Sequence, residues 1–124
     1  MAAPTRSIMV FVTCKSPAEA KRIARAAVKK HLAACGSVFD ATCTSIYRWK
    51  GRIEQARETQ LLLKTTRSLF PRLEAEVRRL HGYDVPEIVA VPIVAGSVPY
   101  LAWLRKNVEV RAVRPRATRR NRRQ

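Results

Sequence analysis

No C-x-x-C pair stands in this chain. Its three cysteines, Cys14, Cys35 and Cys43, are odd in number and widely spaced, which argues against a zinc ribbon or a thioredoxin-type redox pair and suits a reducing compartment. Long hydrophobic runs are also missing. The opening MAAPTRS is polar, and the apolar stretch Ile8 to Val12 is too short for a signal-peptide core or a membrane span. A soluble, cytoplasmic protein without a membrane span is expected. There is no G-x-x-x-x-G-K-[ST] or G-x-G-x-x-G to cradle a phosphate, and no nucleophile with a positioned base. An enzyme is therefore not expected. Acidic residues are scarce, nine against 25 lysines and arginines in 124 residues, for a formal charge of +16.

The basic excess is uneven. Residues 111 to 124 hold seven arginines and no acid, so the first 110 carry 18 minus 9, or +9. Such a balance favours nucleic acid, anionic lipid or acidic partners through long-range electrostatics, without choosing among them. The tail, RAVRPRATRRNRRQ, has no apolar face to bury and repels itself, so residues 1–110 are read as one folded domain and 111–124 as a disordered Arg-rich extension. That tail is the candidate for salt-dependent nucleic-acid binding. The fold class considered below includes RNA-recognition modules, but their aromatic strand motif is absent here.

Ser7 to Cys14 is a continuous run of β-branched, aromatic and other apolar residues, as in a central strand buried on both faces. Ser16, Pro17 and Glu19 then mark a helix start with a capping box. Ala20, Ile23, Ala24, Ala27, Val28 and Cys35 share one helical face, opposite a basic one, and Gly36 is the expected terminator. A second helix is expected after Thr65, capped by Thr66 or Ser68 and closed by Gly82, with Leu69, Leu73, Val77 and Leu80 along one side. Pro86 to Val94 reads as an edge strand because of its two prolines. Pro99 opens a short C-terminal helix carrying Leu101 and Leu104.

Between the first two helices, Ser37 to Trp49 and the segment up to Thr65 flank a Lys50-Gly51 turn, with a bend or bulge expected at Asp40-Ala41. Glu54 to Glu58 are good helix formers without period-2 alternation, so propensity alone does not separate helix from strand there. As a strand, Arg52 to Thr65 would run roughly 46 Å, beyond the roughly 30 Å width of a small domain. An edge of that length calls for another chain to cover it. The element order is then β-α-β-β-α-β plus a terminal helix, an α+β, ferredoxin-like βαββαβ arrangement.

Six motifs occur in order: Thr13-Cys14-x-x-Pro17, Leu32-Ala33-Ala34-Cys35, Ser45-Ile46-Tyr47-x-Trp49-x-Gly51, Leu63-Lys64-Thr65, Tyr83-x-x-Pro86-Glu87-Ile88 and Tyr100-Leu101-x-Trp103. Together they resemble the CutA divalent-cation tolerance family over about residues 8 to 108. The resemblance implies a long β2-β3 hairpin, which favours strand at residues 52 to 65, and a homotrimer similar to that of PII signalling proteins. It also implies a non-enzymatic role in tolerance to copper and other divalent cations. Some bacterial members bind Cu(II) through a strand-1 cysteine and a histidine pair after helix 2. Cys14 matches that cysteine and His81 the second histidine, while Leu80 stands in the first histidine's place. The family's usual Pro-Gly is absent and Cys35 to Trp49 is one residue longer. Trp49, Glu58, Lys64, Tyr83 and Glu87 include polar and aromatic positions that the family pattern shares, and these five are the candidates for an intersubunit cleft. Within that set, Lys64 and Glu87 are expected either to pair as ions or to line a cleft for a small anion.

Overall fold

The computed structural model describes residues 5–113. In chain order its elements are β1 (Ser7–Cys14), α1 (Pro17–Lys29), β2 (Cys35–Trp49), β3 (Arg52–Thr66), a 3-10 turn (Arg67–Leu69), α2 (Phe70–Leu80), β4 (Ile88–Pro92) and α3 (Val98–Val113). The strands form one antiparallel sheet in the order β2-β3-β1-β4. β1 is central and its Val10 and Val12 are fully buried. β4 pairs only with β1 and lies at an edge, where Pro92 costs no ladder bond to a further strand. Of the extension read above as residues 111–124, the first three belong to α3, and the rest, like the first four residues of the chain, lies outside the described residues.

The core joins β1 and β3 to all three helices through Val10, Ile23, Leu61, Leu63, Leu73, Val77 and Leu104. In β3, alternation puts Leu61, Leu63 and Thr65 fully inside. Fully burying one such leucine stabilises the fold by about 1.5–3 kcal/mol relative to leaving it exposed. Helix α3 adds Leu101, Leu104 and Val108 at steps of three and four. Expected to be short, α3 is instead the longest described helix, at 16 residues.

The hairpin is the feature that positions the site. Lys50 (φ 51°) and Gly51 (φ 80°) both take the left-handed region, as a two-residue type I′ turn requires. The β1 ladder on β3 ends at Cys14 opposite Thr59. From Arg52 to Glu58, β3 therefore pairs only with β2, and the hairpin leaves the sheet as a two-stranded arm. Seven residues at about 3.3 Å each carry it roughly 23 Å beyond β1. The register of β2 on β3 breaks between Phe39 and Cys43, the expected bulge. Ile46, Tyr47, Trp49 and Ile53 are exposed along the arm.

Three local expectations are corrected. Helix α1 ends at Lys29, with His31 at φ 58° making the reversal. Cys35 and Gly36 belong to β2 instead. Gly36 is needed for close packing, since a Cβ there would lie 2.9 Å from Ala24 Cβ. Neither Thr66 nor Ser68 caps α2 through its side chain, because the 3-10 turn intervenes. Nor does Gly82 close α2: the helix stops at Leu80, and His81 is already extended.

Candidate functional site

Three chain segments meet where β1 ends. Cys14 is its last residue, Glu19 lies in the first turn of α1, and His81 immediately follows α2. Their ligand-type atoms, thiol sulfur, carboxylate oxygen and ring nitrogen, all lie within 4.8 Å of one another. Cys14 is fully buried. Burial, with added repulsion from Glu19 and Glu58, pushes its thiol up to about 12.

Glu19 is 1% exposed, and each of its oxygens accepts a backbone N–H, from Lys15 at 2.9 Å and from Gly82 at 2.8 Å. Ser16 does cap the helix, accepting from Glu19 N at 3.2 Å. Glu19, however, reaches past Ser16 to tie the start of α1 to the residues after α2. The ring of His81 is held on both sides: Tyr83 N–H donates to Nδ1 at 3.1 Å, which leaves Nε2–H to donate to the Thr13 carbonyl at 2.8 Å. Leu80, in the place of a family histidine, instead packs against the core.

A thiolate, an imidazole and a carboxylate suit a borderline cation such as Cu(II) or Zn(II), so the donor set fits. Glu19 and His81 are already satisfied within the protein. Ligation would require Cys14 to lose its proton and His81 to release one ring contact.

Beside this cluster opens a cleft of about 690 Å³ between one side of the hairpin arm and the segment Gly82 to Glu87. Four of the five sequence candidates for a cleft line it: Trp49, Glu58, Tyr83 and Glu87. Tyr83 donates its hydroxyl to Glu58 at 2.7 Å, and Thr13 donates its own to Glu87 at 2.9 Å. Gln60 holds Thr13 in place with a 2.9 Å bond to the hydroxyl oxygen. Burial, then the Glu58 hydrogen bond and charge, raise the Tyr83 hydroxyl well above its ordinary range, so it acts as a donor.

Lys64 is not part of the cleft. It is paired in register with Met9 and Cys35, donates to the Tyr100 hydroxyl at 3.3 Å and sits 5.4 Å from that ring's centre. No Lys64–Glu87 ion pair forms among the described residues. The cleft lining contains Glu58, Asp84 and Glu87 and no lysine or arginine, so its charge has the wrong sign for the small anion expected from the sequence. Glu19 was legible only as a capping residue. Nothing local signals a partner 63 residues away.

The sequence model of the CutA1 divalent ion tolerance protein family matches residues 8–107. Protein CutA of Homo sapiens is 48% identical over 99 residues, covering 80% of this chain and 55% of the human protein. The chain thus spans about half the length of that relative. The divalent-cation tolerance protein CutA of Thermus thermophilus is also 48% identical, over 80% of this chain and 95% of its own. Among solved structures, CutA from Xylella fastidiosa superposes with a TM-score of 0.81 at 34% identity, covering 84% of this chain and 99% of the other.

Proposed function

The chain belongs to the CutA1 divalent ion tolerance family, and from that premise we propose that it is a non-enzymatic tolerance protein that takes up copper(II), or a cation of similar character, at Cys14, Glu19 and His81. The observation that carries the reading is the approach of those three donors to within 4.8 Å. Glu19 supplies the third donor that Leu80 cannot. Bound there, the cation would gain one soft thiolate, one imidazole and one carboxylate, a set that favours Cu(II) and Zn(II) over magnesium or calcium. His81, its ring oriented by Thr13 and Tyr83, would give up one of those two contacts to present a nitrogen.

The βαββαβ element order and the sheet order support a ferredoxin-like assignment. The free cysteines suit a reducing, cytoplasmic setting. A homotrimer is the assembly we propose, because the hairpin arm projects beyond the sheet and exposes Ile46, Trp49 and Ile53. Light scattering should then report three times the 14.1 kDa chain, about 42 kDa; a monodisperse monomer would contradict this assembly.

Calorimetric titration of the reduced, metal-free protein with Cu(II) and Zn(II) tests the metal reading, with thiol oxidation followed in parallel. Saturable uptake is expected in the natural chain and should be lost in both Cys14→Ser and His81→Ala. Uptake indifferent to both substitutions, or none at all, would overturn it.

A further inference from the structure

The water-facing side of α1 and α2 carries charge of one sign. On α1, Lys21, Arg25 and Lys29 recur at steps of four and are all exposed. They stand in one row, about 6 Å apart at 1.5 Å per residue. Arg22 and Lys30 reach across to α2, where Arg22 donates to the Leu80 carbonyl at 3.4 Å and Lys30 to Glu76 at 2.9 Å. Lys30 shares a hollow of about 370 Å³ with Arg72 and Arg79. The one acid lining it, Glu76, is 8% exposed and already engaged by Lys30 and Arg79. Arg72 makes no ion pair among the described residues. The hollow therefore keeps an excess of positive charge. Glu74, two positions before Glu76, falls on the opposite flank of α2.

Solvation alone does not call for this arrangement. Like charges four residues apart repel on a helix surface, and among the described residues no ion pair relieves Lys21, Arg25 or Lys29. The face also stays open when chains assemble. Cross-strand pairing sets Phe11 beside Leu62 and Val89, and Met9 beside Val91, on the sheet face turned away from the core residues Val10 and Val12. That face and the arm, with Phe39, Val89 and Val91 exposed, hold the apolar surface that a homotrimer would cover. Helices α1 and α2 pack on the other side, where Ile23 and Leu73 join Val10 and Val12 in the core.

The side chains absent from this face select among polyanions. A membrane surface rewards apolar and aromatic groups that enter the headgroup boundary, and a single strand rewards exposed rings on which bases stack. On α1 and α2 the only exposed large apolar side chain is Val28, and no aromatic one is exposed. The phosphate backbone of a duplex needs neither, since it is bound by charge without regard to sequence. We propose that the α1–α2 face docks double-stranded nucleic acid through its phosphates. Lys21, Arg25 and Lys29 lie along one strand, and a phosphate seats between Lys30, Arg72 and Arg79.

Fluorescence anisotropy of a labelled DNA duplex of about 20 base pairs, titrated with the full, metal-free chain between about 50 and 200 mM salt, tests the proposal. Two triple variants remove equal charge from different places: Lys21→Gln with Arg25→Gln and Lys29→Gln on α1, and Arg119→Gln with Arg120→Gln and Arg122→Gln in the tail. Each lost phosphate contact lowers the log–log salt slope by about 0.9, so the α1 variant should lower it by about 2 to 3 and weaken binding at least about tenfold. The tail variant should change both less, although its net charge is the same. Arg72→Gln should remove about one contact's worth of slope. The α1 variant should melt with the natural chain, because its three residues are exposed and free of ion pairs, so lost binding is not lost folding. Cys14→Ser should leave duplex binding unchanged, which separates this face from the metal reading. Phosphatidylserine vesicles and a single-stranded oligothymidylate should compete less well than unlabelled duplex. No duplex binding, an unaltered slope in the α1 variant, a loss no greater than in the tail variant, or stronger competition by vesicles or single strand would overturn the proposal.

Discussion

The buried cluster and the open cleft meet at shared residues, and two of these, Thr13 and Tyr83, serve each side with a different part. Thr13 gives its carbonyl to His81 and its hydroxyl to Glu87. Tyr83 gives its backbone N–H to His81 and its hydroxyl to Glu58. Thus the cluster is held largely by main-chain groups: Lys15 N, Gly82 N, Tyr83 N and Thr13 O. The cleft is built from side chains. Substitution at positions 13 or 83 can therefore change the cleft without disturbing the cluster, whereas Glu19 and His81 have no such freedom.

The largest effect expected from that contrast is at Glu19. Glu19→Ala leaves the N–H groups of Lys15 and Gly82 without their carboxylate acceptor and empties the fully buried space that the Glu19 side chain fills. A loss of about 2–4 kcal/mol is predicted, at roughly 1–3 per unsatisfied group with partial relaxation. Glu19→Gln keeps one carbonyl oxygen and should recover part of the loss. Urea midpoints would measure both. If Glu19→Ala proved no more costly than Glu87→Gln at the cleft rim, the distinction between a cluster needed for the fold and a cleft free to vary would fail.

An intermediate effect is expected at the shared wall. Tyr83→Phe removes the hydroxyl from Glu58 but keeps the backbone N–H on His81. About 1–2 kcal/mol is predicted, because the lost bond has a charged acceptor. Nitrogen chemical shifts should still report the same His81 tautomer, with its proton on Nε2. A tautomer change in Tyr83→Phe would mean that the cluster depends on the cleft after all.

Much of the frame was legible because it rests on short-range rules. The apolar run of β1, the Ser16-Pro17 helix start, the Lys50-Gly51 turn and the edge position of β4 all follow from residues adjacent in sequence. The arm was not, since Glu54 to Glu58 favour helix locally and become strand only by pairing with Tyr47 to Cys43 across the turn. Gly36 was misread for a related reason. Its value lies in the approach of Ala24, a tertiary contact, while His31 made the reversal credited to it. Of the site, Cys14 and His81 could be named from motif positions. Glu19 could not, because its role is fixed by Gly82 in space. The acidity of the cleft depends on which charged positions the fold gathers: it includes Asp84 and sends Lys64 to Tyr100.

The smallest expected effect comes from a carboxylate belonging to neither region, and it calibrates the other two. Glu76 on α2 takes Lys30 at 2.9 Å and Arg79 at 2.7 Å. Those hydrogen bonds, Arg79 first, lower its carboxyl to about 2 from an ordinary 4.5. Because the folded value is depressed, the stabilisation is complete above about pH 4.5 and is lost as pH falls through about 2. Both cations are about half exposed, so solvent screening should hold the gain to about 1 kcal/mol or less. Melting temperatures of the natural chain and Glu76→Gln should differ slightly at pH 7 and converge toward pH 2. The Glu19→Ala deficit depends on two main-chain donors rather than on exposed cations and should be several times larger at neutral pH. A Glu76→Gln deficit as large as that of Glu19→Ala would place the stabilising weight on the helix surface and weaken the case that the buried cluster is what ties α1 to α2.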